Sequence, residues 1–168
     1  TADLLLEPDE VSEALIKTAA AVLISGTALS QSPSREAVFT LIDFAHRHGT
    51  KLILDIDFRP FGWISPIETA QYYALAADRC DVIIGNREKF DALEELSMPG
   101  KRDNDKTAAA LLGAGAELVI IKEGAGGSLA YTRSGEVVRL GVIPVQAKKT
   151  FGSGDAYAAG LLYGLFKG

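Results

Sequence analysis

Four short apolar runs, each followed by a longer segment with other periodicities, constrain the fold of this chain more than any other feature. The runs are too short for ordinary helices and end at glycine or charged residues, which is typical of buried strands. They occupy positions 21–26, 51–57, 81–85 and 118–122. Strands that are apolar on both faces are typical of parallel sheets covered by helices on either side. The sequence therefore predicts a doubly wound α/β fold with a mainly parallel sheet.

Helix signals occupy the connections between these runs. Ser34 is expected to cap the first connecting helix, and Gly49 is expected to end it. The remaining connections predict helices over 66–78, 87–96 and 104–113. Alternation of strands and helices in this order supports the parallel arrangement.

The pattern changes after the fourth run. Segments 127–131 and 137–140, separated by Ser134-Gly135, predict a hairpin. A further strand over 142–145 and a final helix from Ser153 are expected after it. The hairpin would give the sheet an antiparallel edge.

Composition excludes several classes of function. With 17 Lys and Arg against 22 Asp and Glu, the chain has a formal net charge of −5, so we expect no nucleic-acid partner. No apolar run approaches the roughly 20 residues of a membrane span, so no membrane partner is expected. The single cysteine, Cys80, cannot form an internal disulfide and has no nearby group to activate it. These observations predict a cytoplasmic protein whose cysteine lies in the core.

The glycine-rich segment 149–160 bears the strongest chemical signal. The N–H groups of Gly152, Ser153 and Gly154 would open a helix without intrahelical acceptors, and such groups bind phosphate or a developing anion. Asp155 would lie in the first turn, where it either caps the helix or accepts a proton from a substrate hydroxyl. Spacing alone fits a glycine-rich turn with a capping aspartate equally well. The segment is neither a Walker A loop nor a dinucleotide fingerprint, which argues against a Rossmann dehydrogenase.

Segment 149–160 resembles the C-terminal signature of ribokinase/PfkB-type carbohydrate kinases, roughly Asp/Asn/Lys-Thr-x-Gly-Ala-Gly-Asp, with Ser153 at the usual alanine. Segments 25–30, 55–63 and 122–128 resemble, in the same order, the branch that phosphorylates 5-dehydro-2-deoxygluconate in myo-inositol breakdown. The resemblance covers nearly the whole chain and implies a ribokinase-like fold. Residues 1–168 would form the C-terminal portion of a single kinase domain, without its N-terminal part and its β-sheet lid.

The resemblance also assigns catalytic groups. It implies that Asp155 is the base on the sugar hydroxyl and that the amides of Gly152, Ser153 and Gly154 form the hole for the transferring phosphoryl group. A helix N-terminus favours an ionised aspartate. Phosphoryl transfer depends mainly on positioning and charge stabilisation, which backbone amides supply.

ATP is the cofactor that the resemblance implies, lying along Lys122, Gly124 and Gly127 after the fourth strand. The same glycines also fit the tight turn at the start of a hairpin. After the third strand the family pattern is Asn-x-x-Glu, which organises Mg²⁺ and phosphate. Asn86 matches that pattern, but Lys89 stands at the Glu position and Glu88 comes one residue early. Mg²⁺ is therefore expected, with Asn86 near the nucleotide and Glu88 as the metal candidate.

The pattern Asp55-x-Asp57-x-Arg59 follows the second apolar run. The period of two places both acids on one side of a strand, with Arg59 beyond its end. The resemblance places an Asp/Asn-x-Arg element here, near the phosphates and an acid substrate. A guanidinium fork suits a carboxylate or phosphate, so Arg59 and Asp57 are the substrate-binding candidates. An ion pair at the strand end is the structural alternative.

The resemblance thus implies ATP-dependent phosphorylation of a sugar or sugar-acid hydroxyl, with 5-dehydro-2-deoxygluconate as the expected substrate. A fructokinase and a 2-keto-3-deoxygluconate kinase are the enzymatic alternatives. A non-catalytic nucleotide- or sugar-binding relative is the alternative from another class, and Lys89 is its only support. A homodimer stays open, because the lid that often mediates dimers in such kinases lies outside this chain.

Overall fold

The four apolar runs form adjacent strands of one sheet. The computed structural model describes residues 2–100, 103–144 and 152–167. Their six-stranded sheet has the order β1-β2-β3-β4-β5-β6, parallel from β1 to β4 and antiparallel from β4 to β6. The strands are β1 (Ala21–Ser25), β2 (Lys51–Asp55), β3 (Val82–Asn86), β4 (Leu118–Lys122), β5 (Ser128–Thr132) and β6 (Val137–Leu140). The predicted mixed sheet with an antiparallel edge is confirmed.

A short helix precedes the first strand, further helices connect the parallel strands, and another follows the hairpin. They are α1 (Glu13–Thr18), α2 (Ser34–His48), α3 (Pro66–Ala77), α4 (Arg87–Glu94), α5 (Asn104–Ala114) and α6 (Ser153–Lys167). Gly49 ends α2 with a φ of 68°, the left-handed conformation that glycine adopts without strain. Within the described ranges, none of these helices has both the length and the apolar character that spanning a bilayer requires.

Both faces of the sheet are covered, because the central strands are apolar on both sides. One face packs against α2, α3, α4 and α5, whose buried residues include Ile42, Tyr73 and Phe90. On the other face, a smaller apolar cluster packs against Tyr157, Leu161 and Leu162 of α6; its strand members are Ile53, Val82, Ile84 and Ile120. The final helix is thus held by apolar contact with the centre of the sheet.

Some local predictions are wrong. Ser34 does not cap α2: Pro33 occupies the cap position, and the Ser34 hydroxyl instead donates to the carbonyl oxygen of Ala28 at 2.8 Å. Strand β2 ends at Asp55, two residues earlier than predicted. The expected strand over 142–145 is not found at residues 142–144, and its last residue lies outside the described residues. Residues 149–151 of the glycine-rich segment also lie outside them.

The single cysteine is part of the core, as expected. The side chain of Cys80 is buried in the cluster between the sheet and helices α2 to α5. Burial, with a smaller contribution from the neighbouring Asp81 carboxylate, raises the pKa of the Cys80 thiol to about 12. The thiol is therefore protonated at neutral pH.

Two phenylalanines give a matched test of this core. Phe90 is fully buried, whereas Phe61 is 92% exposed. Phe90→Ala in the full-length protein should lower the free energy of unfolding by about 3–5 kcal/mol, because it leaves a cavity beneath α4. Phe61→Ala should change it by less than about 0.5 kcal/mol. Urea titrations followed by circular dichroism measure both values, and equal losses would contradict the placement of α4.

Candidate active site

A cleft of about 540 Å³ lies at the carboxyl ends of the parallel strands. Parallel pairing brings these ends to one edge of the sheet, which is where ligands bind in open α/β sheets. The walls of the cleft come from the residues that follow β2, β3 and β4, from the end of the hairpin and from the first turn of α6. Elements far apart in sequence therefore meet in one place.

The cleft contains all but one of the site residues named from the sequence. These are Asp57, Arg59, Asn86, Lys122, Gly124, Gly127, Gly152, Ser153, Gly154 and Asp155. Glu88 is the exception: it is exposed and does not line the cleft. Lys89, its neighbour on α4, lines the cleft instead. Successive helical residues point about 100° apart, so the two side chains cannot both face the cleft.

Asp57 is held between two cations. The Lys89 Nζ donates to Asp57 Oδ1 at 2.8 Å, and the Arg59 Nη2 donates to Oδ2 at 3.2 Å. Burial raises the pKa of Asp57, but the bonds and charges of Lys89 and Arg59 outweigh burial and hold that pKa below its usual value. Asp57 is therefore an anion at neutral pH. Both of its oxygens are occupied, so it orients the two cations that face the cleft.

Asp55 lies deeper in the cleft wall, at the end of β2. Its Oδ1 is buried and has no hydrogen-bond partner among the described residues. Burial raises the pKa of the Asp55 carboxyl, against the opposing charges of Lys122 and Lys89. Because β2 ends at Asp55, the prediction that Asp55 and Asp57 lie on the same side of one strand is wrong. The Asp57 N–H instead donates to the Asp55 carbonyl oxygen at 2.8 Å in a tight turn beyond the strand.

Lys122 ends β4 and faces the start of α6. Its Nζ lies 5.6 Å from the centroid of the Tyr157 ring, within the range of a cation–π contact. A Cβ built on Gly154 would lie 3.7 Å from the same nitrogen. The Tyr157 hydroxyl donates to Ser128 Oγ at 2.8 Å, which ties the first turns of α6 to the hairpin. Lys122 thus places a positive charge beside the helix N-terminus.

A glycine turn joins β4 to β5 at the cleft. Gly124 and Gly127 have φ angles of 58° and 91°, which a residue with a side chain adopts only with strain. A Cβ on Gly127 would also overlap the carbonyl oxygen of Leu140 in β6. The turn is therefore the start of a hairpin, as the structural alternative held, and its bare backbone also lines the cleft.

The first turn of α6 lines the cleft with polar groups that have no partner in the described part of the chain. Gly152 has a φ of 80°, and its carbonyl oxygen accepts from the Ala156 N–H at 2.9 Å to begin the helix. The N–H groups before this bond have no acceptor within the helix. The Asp155 side chain is exposed, and within the described ranges it neither caps the helix nor bonds to another side chain. A carboxylate and several amides thus remain available to a ligand.

Several residues that line the cleft are not among the site residues named from the sequence, and Lys89, Tyr157 and Asp55 are the charged or aromatic ones. The sequence marks Lys89 only as a departure from the family pattern. Lys89 lies three residues after Asn86, the residue before α4, and this spacing places the two side chains on the same face of the helix. Tyr157 lies two residues after Asp155, and Asp55 is only partly exposed. Asp55 belongs to the pattern Asp55-x-Asp57-x-Arg59, which includes it without giving it a role. The contacts of Tyr157 with Lys122 and Ser128 join distant elements, so no local signal marks Tyr157.

The described residues of the cleft do not form a metal site built from several acidic side chains. Among the described residues, no group of three or more His, Cys, Asp or Glu side chains is arranged to hold a metal ion. The cleft combines the cations Arg59, Lys89 and Lys122 with scattered carboxylates and free amides. This chemistry suits an anionic ligand such as a phosphate group.

The sheet, its strand-end cleft and the glycine-led helix define a ribokinase-like α/β protein. The family model "pfkB family carbohydrate kinase" matches residues 1–168, and the chain belongs to this family.

Similar proteins agree with this assignment. The chain is 52% identical over 164 residues to a 5-dehydro-2-deoxygluconokinase of Geobacillus kaustophilus (strain HTA426), covering 98% of this chain and 49% of that protein. It is 50% identical over 167 residues to the protein of the same name from Bacillus cereus (strain 03BB102), covering 99% and 50%. The chain thus spans about half the length of the curated relatives it matches.

Solved structures of low sequence identity share the fold. A PfkB protein from Polaromonas sp. JS666 has a TM-score of 0.84 at 23% identity, covering 96% of this chain and 51% of that chain. A fructokinase from Xylella fastidiosa, solved with bound ATP, has a TM-score of 0.85 at 22% identity, covering 96% and 49%.

The Asp57 arrangement predicts a change in titration. Lys89→Met removes the cation bonded to Oδ1, so the pKa of Asp57 should rise. A lowered pKa stabilises the folded state at neutral pH, and this contribution is lost as the pH falls through that pKa. NMR titration of the labelled Asp57 carboxyl carbon in the full-length protein measures the shift. Lys17→Met is the control, since Lys17 lies on α1 outside the cleft. An unchanged Asp57 pKa in Lys89→Met would contradict the ion pair.

Proposed function

We propose that residues 1–168 are the C-terminal portion of a kinase domain that transfers the γ-phosphoryl group of ATP to a hydroxyl of 5-dehydro-2-deoxygluconate. The observation that carries the reaction type is the Asp155 carboxylate beside the amides at the start of α6, all without a partner among the residues that the structure describes. The substrate follows from relatives about half identical to the chain that bear the name 5-dehydro-2-deoxygluconokinase.

The nucleotide would lie along β4 and the glycine turn. Gly124 and Gly127 let the backbone approach a ligand closely, and Lys122 stands between this turn and the N-terminus of α6. The ammonium of Lys122 would then neutralise phosphate charge next to the transferring group. Positioning and charge stabilisation are the main requirements of phosphoryl transfer.

A Mg²⁺ ion fits this arrangement through a small number of protein oxygens. Magnesium is usually held by one or two side chains together with substrate phosphates. Asn86 and the unpaired Oδ1 of Asp55 are the cleft oxygens suited to it. When bound, the ion would supply positive charge to the phosphate oxygens. Glu88 has no part in the proposal, because it lies outside the cleft.

Asp155 would accept the proton of the attacking hydroxyl. Its carboxylate lines the cleft from the first turn of α6 and has no competing partner within the described residues. The amides of Gly152, Ser153 and Gly154 would donate to the phosphoryl oxygens as charge develops on them. One helix terminus then serves both the base and the anion hole.

Arg59 would recognise the carboxylate of the substrate, which is a sugar acid. Its side chain is 62% exposed at the cleft, and Asp57 fixes its guanidinium through Nε and Nη2. Nη1 makes no bond to Asp57 and is free to donate. Asp57 would therefore support substrate binding by orienting Arg59. A neutral sugar would gain nothing from this cation.

One observation favours a second candidate. Lys89 stands in the cleft where the family pattern has an acid, as expected for a non-catalytic nucleotide- or sugar-binding relative. An assay of ADP release by the full-length protein, with and without Mg²⁺, separates the two candidates. A panel of 5-dehydro-2-deoxygluconate, 2-keto-3-deoxygluconate and fructose then identifies the substrate. Turnover with the first of these supports the proposal, and its absence with all three overturns it.

Asp155→Asn tests the proposed base. In the full-length enzyme it should lower kcat by about 10²–10⁴-fold, as expected for a lost general base. The Kd for ATP should change little, because the amides and Lys122 are intact. Asp43→Asn, which neutralises an exposed carboxylate on α2, is the matched control and should leave kcat unchanged. If Asp155→Asn keeps kcat within a few-fold of wild type, Asp155 is not the base.

Arg59→Lys tests recognition of the substrate acid. Loss of a charge-assisted contact is worth about 1.5–3 kcal/mol, or roughly 10- to 150-fold in kcat/KM. An ammonium cannot reproduce the planar fork, so most of this loss is expected for sugar-acid substrates and little for fructose. Arg47→Lys, on the exposed end of α2, is the control. Equal losses on acid and neutral sugars, with a raised KM for ATP, would place Arg59 on the nucleotide instead.

A further inference from the structure

A buried charged network lies behind the cleft and has no part in the proposed chemistry. Arg87, the first residue of α4, pairs with Glu94, whose side chain is only 3% exposed. The Arg87 Nη1 also donates to Thr107 Oγ1 of α5 at 2.8 Å, and Thr107 in turn donates to Glu94. Apolar side chains of similar size could hold two helices together at lower desolvation cost. Helix packing alone therefore does not explain why this network is charged.

Asn104 extends the network towards the cleft. It is the first residue of α5, and its Oδ1 accepts from Arg87 Nη1 at 3.3 Å. Its Nδ2 donates to Glu123 Oε1 at 2.7 Å. Because a guanidinium only donates and a carboxylate only accepts, the Asn104 amide satisfies both neighbours in one orientation alone. Asn104 is thus a directional link from Arg87 to Glu123.

Glu123 lies between two residues that line the cleft, Lys122 and Gly124. Its backbone closes the glycine turn: its N–H donates to the Gly127 carbonyl oxygen at 2.8 Å, and its own carbonyl oxygen accepts from the Gly126 N–H at 3.0 Å. Its side chain bonds away from the cleft, to Asn104. The other ionic neighbour, Arg139, is 67% exposed and lies 3.7 Å away, so its contribution is small. The contact with Asn104 therefore fixes the residue on which the turn closes.

We propose that Asn104 is a positioning residue, which sets the affinity for nucleotide by holding the turn 123–127 in place through Glu123. The inference rests on the proposed function, which places ATP along this turn. A turn that is already ordered loses less conformational entropy when a ligand binds, and this raises affinity. Asn104 has no contact with Asp155 or Arg59, so proton transfer and sugar recognition do not depend on it.

Asn104→Asp cuts the contact selectively. The new carboxylate still accepts from Arg87 but faces Glu123 with a second negative charge in place of a donor. In the full-length protein, the Kd for ADP and the KM for ATP should rise by about 5- to 10-fold, the range of one hydrogen bond and some repulsion. The kcat and the KM for the sugar acid should stay within about 2-fold. Calorimetry with ADP and steady-state kinetics measure the four values.

A donor–acceptor exchange tests the contact itself. E123Q supplies an amide on the opposite side, so the double variant N104D/E123Q restores one donor and one acceptor. It should recover nucleotide affinity to within about 2-fold of wild type, since the bond lost in N104D is replaced. Failure of this recovery would overturn the proposal.

Tyr131→Phe is the matched structural control. It removes the bond of 2.8 Å from the Tyr131 hydroxyl to Asp105 Oδ1, which joins α5 to β5 rather than to the turn 123–127. It should lower Tm without changing the Kd for ADP. If it weakens ADP binding as much as N104D does, the effect belongs to helix docking and the positioning role is wrong.

The remaining outcomes separate this inference from the proposed function. An active N104D enzyme with unchanged ADP affinity overturns the inference and leaves the proposed function standing. A wild-type protein that neither binds ADP nor phosphorylates a sugar acid overturns both. Should N104D fail to fold, Glu123→Ala removes the same contact from a partly exposed position. The same rise in nucleotide Kd and KM with unchanged kcat is then expected, and its absence overturns the inference.

Discussion

Parallel pairing of β1 to β4 is the constraint on which the rest of this molecule depends. The registers run through apolar strand centres, such as Leu54 against Ile83 and Ile84 against Ile120. Each strand ends at the same edge of the sheet, so the polar residues that follow the strands meet there. In a flexible chain, the three cations would repel one another, and each would be free to pair directly with a carboxylate. The packed sheet holds them at fixed separations around one cleft.

The fold was largely predictable, because strand length and apolar continuity are local properties. The fourth strand, 118–122, was predicted with the bounds it has, and the hairpin with nearly the bounds it has. The errors arose where a contact outside the predicted element determines the local structure. Ser34 has the right chemistry for a helix cap, but its hydroxyl bonds to Ala28 on a neighbouring segment. Residues 142–144 are apolar enough for a strand, yet they pair with no neighbouring strand among the described residues.

The candidate site was predictable in its members but not in its contacts. Strand ends and the glycine-led helix marked most of the residues that line the cleft, because topology alone brings them together. The pairing of Lys89 with Asp57 joins residues 32 apart in sequence, and no spacing rule indicates it. Glu88 was chosen by residue type, whereas the rotation of α4 turns Lys89 to the cleft instead. Position on the helix therefore indicates which of the two side chains faces the cleft better than residue type does.

The packing of α6 against the sheet has a consequence for which substitutions can affect the site. Asp155 lies two residues before Tyr157, which packs with Leu161 and Leu162 on the far face of the sheet. The Asp155 carboxylate is thus carried on a helix that apolar contacts hold to the sheet, and one of these contacts, Tyr157, also lines the cleft. Ile120 belongs to the same apolar cluster but does not line the cleft, so a smaller side chain there would loosen the packing under α6 and leave every cleft residue unchanged. Under the proposed function, substitutions inside the sheet would therefore alter the rate of phosphoryl transfer, and a comparison of cleft residues alone would miss them.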